Sequence, residues 1–413
     1  MKLRPNTINI GKRTVGKGQP TYIIFEVAST HENNWQIAIQ CVENAITVGA
    51  DAVKFQLFMA DGIVNPITTG LKGTHDYFKT AETPREWFPK LLSLCQERGI
   101  DLLCSAFDIS AAHFLNDVGI PAVKIASSEL TNIQLLECVA SFGKPIILST
   151  GMATMEEVER ALSVLYKNGA KEISLLQCVS VYPTSFEDAN VSAMNTLGEK
   201  FGTVVGYSDN GSAGLLVPLM AVASGASIIE KHVTIKKERG SLDDVFSLSV
   251  KEFGEMVRKI REIDNTRDKD VVLTALRLEY GDDFDKVIGD GIKRPASHGT
   301  EVKHPGVNGT FIQREVDERR WARRGVYLTQ PLSKGEVITK DMLILLRPDI
   351  GISGVEYETI VGQTAGEDLY AKLPLKIVDG KVFCFHRADI AGAYTHHEDA
   401  QFAKMLVETA LFD

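Results

Sequence analysis

The stretch that decides the fold is Gly206–Thr234, GYSDNGSAGLLVPLMAVASGASIIEKHVT, which we interpret as a strand, a helix and a second strand. The first strand ends in the polar run Tyr207–Asn210, and the second strand, SIIEKHV, carries Glu230 and His232. Because side chains alternate along a strand, Glu230 and His232 share one face and their apolar neighbours share the other. Polar groups at the ends of apolar strands indicate a ligand site, although a lone histidine at a strand end is more often structural.

The same strand, loop and helix pattern recurs from Tyr22 to about Ile263. We predict eight strands, which begin at Tyr22, Ala52, Asp101, Ala122, Pro145, Ile173, Thr203 and Ser227. A glycine lies a few residues ahead of most of them, where the end of a helix needs a residue that tolerates the left-handed conformation. Eight such units predict an α/β fold, a (β/α)8 TIM barrel over residues 1–267. No GxGxxG follows the first strand, which disfavours a dinucleotide-binding sheet.

Composition excludes several classes of protein. With 413 residues, 44% hydrophobic and 24% charged, the chain has the make-up of a globular protein with room for a second domain. No apolar run reaches the about 18 residues of a membrane helix and the start lacks a secretory apolar region, so we expect a cytoplasmic protein without a membrane partner. The net charge of -9 includes no basic stripe, which argues against nucleic acid. The six cysteines stand singly, which favours reduced thiols over disulfides or zinc.

Polar side chains at the predicted strand ends form the candidate site, because the active site of such a barrel lies at the C-terminal ends of its strands. Lys54 and Lys124 lie within apolar strands and need a polar cavity, since a buried unpaired ammonium group is very costly. With nearby serines they predict a cradle for a phosphate or carboxylate; the open alternative is a buried ion pair with Glu26 or Glu230. The strand-end residues are Glu26, Lys54, Gln56, Ser105, Lys124, Ser127, Glu129, Ser149, Thr150, Tyr182, Ser208, Asp209, Asn210, Glu230 and His232.

The chain changes character after the predicted barrel. Residues 268–320 are rich in Gly, Asp and Pro with one plausible short helix, and we interpret them as a long linker. Residues 321–376 show short strands and turns with little helix, which indicates a separate small domain. The extension 377–413 contains a predicted hairpin at Asp379–Gly380 and an amphipathic helix from Glu398 to Leu411, and we interpret its histidines as surface residues.

Several motifs over about Tyr22–Lys376 resemble one family. They are GADAVKFQ from Gly49, IPAVKIASSELTN from Ile120, GKPIILSTGMAT from Gly143, VYPTSFEDAN from Val181, VGYSDN from Val205, GASIIEKHVT from Gly225, and RRGVYLTQPLSKGEVIT and RPDIGIS in the small domain. The chain resembles sialic acid (nonulosonic acid) synthases, in which a (β/α)8 barrel is followed by an antifreeze-like (SAF) domain. The runs HDYFKTAETPREWFPKL from His75 and DDVFSLS from Asp243 look like the pseudaminic or legionaminic branch rather than the N-acetylneuraminate one.

The resemblance implies a transferase reaction in which C3 of phosphoenolpyruvate attacks the aldehyde of an open-chain N-acetylated hexosamine, water adds at C2 and phosphate leaves. It implies phosphoenolpyruvate contacts from Lys54, Ser105, Lys124, Ser127, Ser149 and Ser208. It implies contacts to the sugar and the reacting water from Glu26, Gln56, Glu129, Tyr182 and Asp243, with Glu26 moving protons. The resemblance also implies that Arg347 reaches the sugar from the partner subunit of a domain-swapped homodimer.

One departure from the family's pattern concerns a metal. The resemblance implies two histidine ligands for a divalent cation, Mn²⁺ or Mg²⁺, but this chain has His232 at one position and Asn210 at the other. An amide oxygen binds manganese-class ions less well than imidazole, so the cation is held weakly by His232 and Asn210 or the aldehyde is polarised without metal. Ser180 and the run GSLDD from Gly240 also depart from the pattern, which leaves the sugar open.

Three functions therefore remain open. The first is an active nonulosonic acid synthase. The second is a relative that binds ligand and dimerises without catalysis; Asn210 favours it, whereas the retained proton-moving Glu26 favours the enzyme. The third is condensation of phosphoenolpyruvate with another aldehyde, such as a phosphorylated pentose, which requires a second cluster of basic residues that we do not locate in the sequence.

Overall fold

The chain forms two compact units in a computed structural model that describes residues 6–65, 72–211, 214–237, 241–266, 268–302 and 311–385. The first unit consists of Met1–Leu57, Thr83–Leu130 and Leu135–Glu318. The second consists of Phe58–Glu82, Thr131–Gln134 and Arg319–Asp413. The second unit therefore includes, besides the C-terminal region, the segment that directly follows one of the predicted barrel strands.

The first unit is built on a closed ring of eight parallel strands behind an N-terminal hairpin. Each ring strand pairs with the next, and the last closes onto the first, with His232 opposite Glu26 in register. The eight predicted strands and the TIM-barrel fold are thereby confirmed. The strands are β1 (Thr7–Ile10) and β2 (Arg13–Gly16) in the hairpin; β3 (Tyr22–Glu26), β4 (Ala52–Leu57), β5 (Asp101–Ala106), β6 (Val123–Ile125), β7 (Ile146–Ser149), β8 (Ile173–Cys178), β9 (Val204–Asp209) and β10 (Ile228–Thr234) in the ring; and β11 (Leu248–Ser249), which pairs in parallel with the end of β10.

Helices alternate with the ring strands and cover them. Gly99, Gly119 and Gly202 end α4, α5 and α9 in the left-handed conformation, as the sequence predicts. In the described parts of the chain, no helix has the length and apolarity of a membrane span. The helices are α1 (Trp35–Thr47), α2 (Ala60–Ile63), α3 (Lys72–Ala81), α4 (Trp87–Arg98), α5 (Ile109–Val118), α6 (Ile133–Ala140), α7 (Met155–Lys167), α8 (Phe186–Ala189), α9 (Ser192–Phe201), α10 (Leu216–Ala223), α11 (Val250–Asn265), α12 (Lys269–Tyr280), α13 (Asp282–Ile288), α14 (Glu315–Ala322) and α15 (Tyr357–Ile360).

Two apolar layers hold the barrel together. Outward-facing strand residues such as Ile229 and Val233 pack with the helices in one large cluster. A smaller cluster fills the interior near the strand starts, where Ile8 and Ile10 of the hairpin pack against Ile228 and its neighbours. The hairpin thus closes the N-terminal end of the barrel, and the interior at the C-terminal strand ends is left for polar side chains.

Residues 268–302 differ from the predicted linker. They form α12 and α13, and Leu276, Phe284 and Val287 are buried in the main core cluster. The interpretation as a linker followed the Gly- and Asp-rich composition and overlooked the spacing of these apolar residues. This segment is therefore part of the first unit, within which the compact region continues to Glu318.

The C-terminal region has the short strands expected of a small domain. The predicted hairpin is confirmed, since β17 and β18 pair antiparallel around Asp379 and Gly380, both of which have positive φ. The predicted helix from Glu398 to Leu411 and the histidines of the extension lie outside the described residues. The remaining strands are β12 (Thr300–Val302), β13 (Phe311–Gln313), β14 (Gly325–Leu328), β15 (Leu343–Leu346), β16 (Thr364–Ala365), β17 (Leu375–Val378) and β18 (Lys381–Cys384).

Candidate active site

Four charged side chains from β3, β4, β6 and β10 meet inside the barrel, on the C-terminal side of the apolar layer at the strand starts. Lys54 Nζ lies 2.7 Å from Glu26 Oε2, a contact that follows from their adjacent positions on paired strands. Glu230 lies between the two lysines, with one oxygen 3.5 Å from Lys54 Nζ and the other 3.5 Å from Lys124 Nζ. All four side chains are buried, so each charge depends on the others for compensation. The alternative of buried Lys–Glu pairs is realised here, and the anion cradle stays a prediction.

Serine hydroxyls surround this charged centre. Each predicted phosphoenolpyruvate serine lies against a lysine, a carboxylate or a backbone amide of the same cluster. The hydroxyls can therefore turn toward a bound anion without leaving the site, because each also carries a rotatable proton. The distances are 3.0 Å from Lys54 Nζ to Ser105 Oγ, 2.7 Å from Lys124 Nζ to Ser149 Oγ, 2.9 Å from Ser208 Oγ to Glu230 Oε1 and 2.9 Å from Gly151 N to Ser127 Oγ.

The two carboxylates have opposite pKa shifts. Burial raises the pKa of Glu26 to about 7, although Lys54 and a hydrogen bond from Gln56 Nε2 at 3.0 Å act against the increase. Burial also disfavours ionisation of Glu230, but Lys124 and Lys54 together outweigh it and lower its pKa to about 2. Near pH 7 Glu230 is therefore a fixed anion, whereas Glu26 can gain or lose a proton, as a general acid or base must.

An aromatic group borders the charged centre. The His232 and Phe246 rings are 4.9 Å apart, and Tyr182, which is 37% exposed, lies 5.0 Å from Phe246. Asp243 accepts hydrogen bonds from Ser29 N at 2.9 Å and Ser29 Oγ at 2.5 Å, which fix the orientation of its carboxylate. Sequence reasoning missed Phe246 and Ser29. Their signals were weak: Phe246 lies in the DDVFSLS run, and Ser29 is an ordinary polar residue in the loop after β3.

The predicted metal ligands, His232 and Asn210, supply few donor atoms. His232 Nδ1 is buried and has no hydrogen-bond partner among the described residues, and burial lowers the pKa of the ring to about 4, so the imidazole is neutral at pH 7. Asn210 donates through Nδ2 to Val179 O at 2.8 Å, which leaves its carbonyl oxygen as the candidate ligand atom. The described parts of the chain contain no group of three or more His, Cys, Asp or Glu placed to hold a metal. One imidazole nitrogen and one amide oxygen fit a weakly held divalent cation.

One predicted strand-end residue, Asp209, has its ion-pair partner outside the charged centre. Asp209 forms a buried ion pair with Lys231 at 2.7 Å. Since these two residues alternate with Ser208 and Glu230 along β9 and β10, their side chains face away from the barrel interior. Glu129 is fully buried on the 3₁₀ turn that follows β6.

Ser180 adds a polar group that sequence reasoning noted only as a departure from a pattern. Its Oγ is buried and has no hydrogen-bond partner among the residues described. A Cβ atom placed on Gly151 would lie 2.4 Å from Ser180 Oγ and 2.7 Å from Ser127 Oγ, so only glycine fits between the two hydroxyls. A buried hydroxyl in this position can donate to a bound anion.

Comparison with known proteins identifies the family. The NeuB family matches residues 41–271, over half of the chain. The chain belongs to the NeuB family. The N,N'-diacetyllegionaminic acid synthase of Legionella pneumophila is 33% identical to this NeuB-family chain over 87% of this chain and 95% of that protein. The pseudaminic acid synthase of Helicobacter pylori is 30% identical over 87% of this chain and 98% of its own.

A solved structure extends the comparison to the fold. The crystal structure of the spore coat polysaccharide biosynthesis protein SpsE from Bacillus subtilis has a TM-score of 0.73 and 30% identity, and covers 92% of the NeuB-family chain and 99% of its own. The SAF domain matches residues 323–378, close to the predicted small domain at 321–376. The predicted family and the predicted order of barrel and SAF domain are thus confirmed.

Arg347 lies in the second unit of this NeuB-family chain. Its guanidinium carbon is 5.7 Å from the centre of the Phe78 ring and 6.0 Å from that of Trp321, and its backbone forms a parallel bridge with Val64. The side chain is buried in this unit. A role of Arg347 in sugar binding across a dimer stays a prediction.

Proposed function

We propose that this NeuB-family protein is a nonulosonic acid synthase that condenses phosphoenolpyruvate with an open-chain N-acetylated hexosamine and releases phosphate. The observation that carries the proposal is the buried centre of Lys54, Lys124, Glu26 and Glu230 inside the barrel. Two lysines surrounded by serine hydroxyls suit an anionic substrate, and a carboxyl group with a pKa of about 7 suits proton transfer. The relatives that make legionaminic and pseudaminic acids support this class of reaction.

Phosphoenolpyruvate is held in this proposal by the lysines and the serine hydroxyls. Lys54 and Lys124 compensate the charges of its carboxylate and phosphate, while the hydroxyls of Ser127 and Ser149 donate hydrogen bonds to the phosphate oxygens. Glu230 remains ionised between the lysines and keeps them from being displaced toward solvent. With its charged groups fixed, the substrate presents C3 to the acceptor.

The acceptor aldehyde lies against the aromatic group of Tyr182, His232 and Phe246. A bond forms between C3 of phosphoenolpyruvate and the aldehyde carbon, and the aldehyde oxygen takes up a proton to become a hydroxyl. Water adds at C2, and the resulting tetrahedral centre expels phosphate and becomes a ketone. Glu26 is the group that holds or moves a proton between the water and the aldehyde oxygen, because its pKa lies near the working pH.

A divalent cation, Mn²⁺ or Mg²⁺, would be held by His232 and Asn210 and would supply Lewis-acid polarisation of the aldehyde when bound. The buried, unpartnered Nδ1 of His232 supports this assignment. Since the donor set is small, we propose that the cation binds loosely.

Asn210→His is expected to tighten manganese binding by about tenfold, because imidazole is a stronger ligand than an amide oxygen for this class of ion. Manganese titration by calorimetry measures the effect without turnover, and phosphoenolpyruvate affinity should change less than about twofold. Asn168→His, at the end of α7, is the matched control and should leave manganese affinity unchanged. Unaltered manganese affinity in Asn210→His, or full wild-type turnover in the presence of a chelator, would contradict the assignment.

Phosphate release from phosphoenolpyruvate tests the proposed function directly. We expect release with at least one 2,4-diacetamido-trideoxy hexose and slower or no release with N-acetylmannosamine, since the named relatives belong to the legionaminic and pseudaminic branch. Reactions without sugar and reactions with a phosphorylated pentose serve as controls. Binding of phosphoenolpyruvate without turnover on any sugar would overturn the synthase proposal in favour of a binding protein. Turnover confined to the pentose would favour the other aldehyde class.

A further inference from the structure

Glu315 reaches the barrel from outside the eight strand–helix units. It is the first residue of α14 and is fully buried. Its carboxylate accepts three backbone N–H groups: Oε1 accepts from Met152 N at 2.5 Å and Ser180 N at 2.7 Å, and Oε2 accepts from Ala296 N at 2.7 Å. A single side chain thus joins the loops that follow β7 and β8 to the segment that follows α13.

The loop after β7 needs this support. Met152 has a φ of 59°, a left-handed conformation that is unfavourable for a residue with a side chain. The loop begins at Ser149, the partner of Lys124, and its Gly151 amide donates to Ser127 Oγ. A Cβ atom on Gly151 would lie 3.1 Å from Glu315 Oε1, so the carboxylate packs directly against the backbone that carries the serine cluster.

We propose that Glu315 is a positioning residue for phosphoenolpyruvate. It holds the 149–152 loop and Ser180 in place, so that the hydroxyls of Ser149, Ser180 and Ser127 face the phosphate. Glu315 itself does not touch the ligand. Three N–H donors stabilise the negative charge of its carboxylate, which limits repulsion between that charge and a nearby phosphate. This inference rests on the proposed function, because it assigns the serine cluster to phosphoenolpyruvate.

The same contacts allow the opposite role for Glu315, that of a competitor of the phosphate, and the test distinguishes the two roles. Backbone amides such as Met152 N and Ser180 N are themselves anion donors. If phosphate binds those amides, Glu315 is a competitor that must leave, and its removal improves binding. A positioning residue and a competitor therefore change the KM for phosphoenolpyruvate in opposite directions.

The test is steady-state kinetics of Glu315→Gln with phosphoenolpyruvate and the accepted sugar. Glutamine has the same shape but only one acceptor oxygen and no charge, so it cannot satisfy all three amides. We expect the KM for phosphoenolpyruvate to rise about tenfold, with kcat and the KM for sugar within about twofold of wild type. A lower KM for phosphoenolpyruvate establishes the competitor instead, and an unchanged KM overturns the positioning role.

Asp188→Asn is the matched control. Asp188 is a buried carboxylate that accepts N–H groups from His298 at 3.3 Å and Gly299 at 3.0 Å, close in sequence to Ala296. It anchors the same segment without contacting the loop after β7. A comparable loss of thermal stability with an unchanged KM for phosphoenolpyruvate supports the specific role of Glu315. An equal rise in KM in both variants overturns it.

A double variant keeps the test decisive if Glu315→Gln is unstable. Glycine adopts positive φ without strain, so adding Met152→Gly to Glu315→Gln should lower the KM for phosphoenolpyruvate again by about threefold or more. Absence of any rescue in a folded double variant contradicts the mechanism. Calorimetric binding of phosphoenolpyruvate to the wild type separates the two hypotheses: no binding refutes the proposed function, whereas normal binding with an indifferent Glu315 variant refutes only the positioning role.

Discussion

Glu26→Gln is expected to lower kcat by about 10²–10⁴, the range in which a positioned acid or base contributes. Glutamine keeps the size of the side chain and one acceptor oxygen, although its NH2 group replaces an oxygen that accepts from Lys54 or Gln56. It cannot take up or release the proton. Removing a negative charge next to Lys54 should leave phosphoenolpyruvate affinity equal or higher. The measurement is a comparison of kcat from phosphate release with Kd from calorimetry, and equal losses in both would contradict a role in proton transfer.

The wild type is expected to take up protons when phosphoenolpyruvate binds, and Glu26→Gln should lack this uptake. The pKa of Glu26 is raised to about 7, so a large fraction of the free protein is ionised there at pH 7–8. An anion placed beside Lys54 disfavours that charge and raises the pKa further, so binding takes up protons and weakens as the pH rises through 7. Calorimetry in buffers of different ionisation enthalpy measures the uptake. The titration of the ligand's own phosphate is common to wild type and Glu26→Gln and cancels in the comparison.

Asp101→Asn is the control for the Glu26 experiment. Asp101 is a carboxylate on β5 whose pKa burial raises, but it accepts from Tyr22 at the opposite end of the barrel. Asp101→Asn should alter stability without altering kcat or proton uptake.

Glu26→Gln should itself lose only part of an ion pair, because Glu230 still faces Lys54. We expect its free energy of unfolding to fall by less than the about 3–5 kcal/mol that breaking a buried ion pair costs.

Mixing Arg347→Ala chains with Lys124→Ala chains is expected to restore roughly a quarter of wild-type activity if Arg347 completes the site of its partner. Each variant alone should be nearly inactive. Random exchange makes half of the dimers mixed, and each mixed dimer has one barrel with an intact Lys124 facing an intact Arg347. Activity is measured after exchange of subunits, with the fraction of mixed dimers checked by mass spectrometry of differently tagged chains.

Mixing Lys54→Ala with Lys124→Ala is the control for this experiment. No mixed dimer of these two contains an intact barrel, so no activity should return whichever chain supplies Arg347. Absence of recovery in verified dimers of the Arg347→Ala pair would instead assign Arg347 to its own chain, with whose Val64 its backbone already pairs.

The barrel was predictable because its signals are local. Each ring strand is a short, mostly apolar run, and a lysine or glutamate within such a run is conspicuous. Glu230 and His232 could be placed on the same face because side chains alternate along a strand. Long-range contacts have no such signal. Glu315 lies in a segment without clear periodicity, and its partners Met152 and Ser180 contribute backbone atoms, which no side-chain pattern can reveal.

Residues 268–320 were predicted to be a linker with one short helix, and the two packed helices at 269–288 were not predicted, for a different reason. Their Asp- and Gly-rich composition is typical of loops, whereas the burial of Phe284 and Val287 depends on the surface that α8 and α10 offer. A sequence window does not contain that surface. Ser29 was missed as well, because nothing in the sequence distinguishes a serine whose hydroxyl orients Asp243 from a serine that is exposed to solvent.

The N-terminal hairpin has a consequence for the order of events. Because Ile8 and Ile10 fill the barrel floor, the charged centre has its approach from the side of the C-terminal strand ends. Both substrates and both products then share one route. If phosphoenolpyruvate binds at the buried lysines and the sugar stacks nearer the partly exposed Tyr182, a sugar that bound first would block the route to the lysines. Phosphoenolpyruvate must then bind first. The kinetics would then be sequential and ordered, and an unreactive sugar analogue would inhibit uncompetitively against phosphoenolpyruvate.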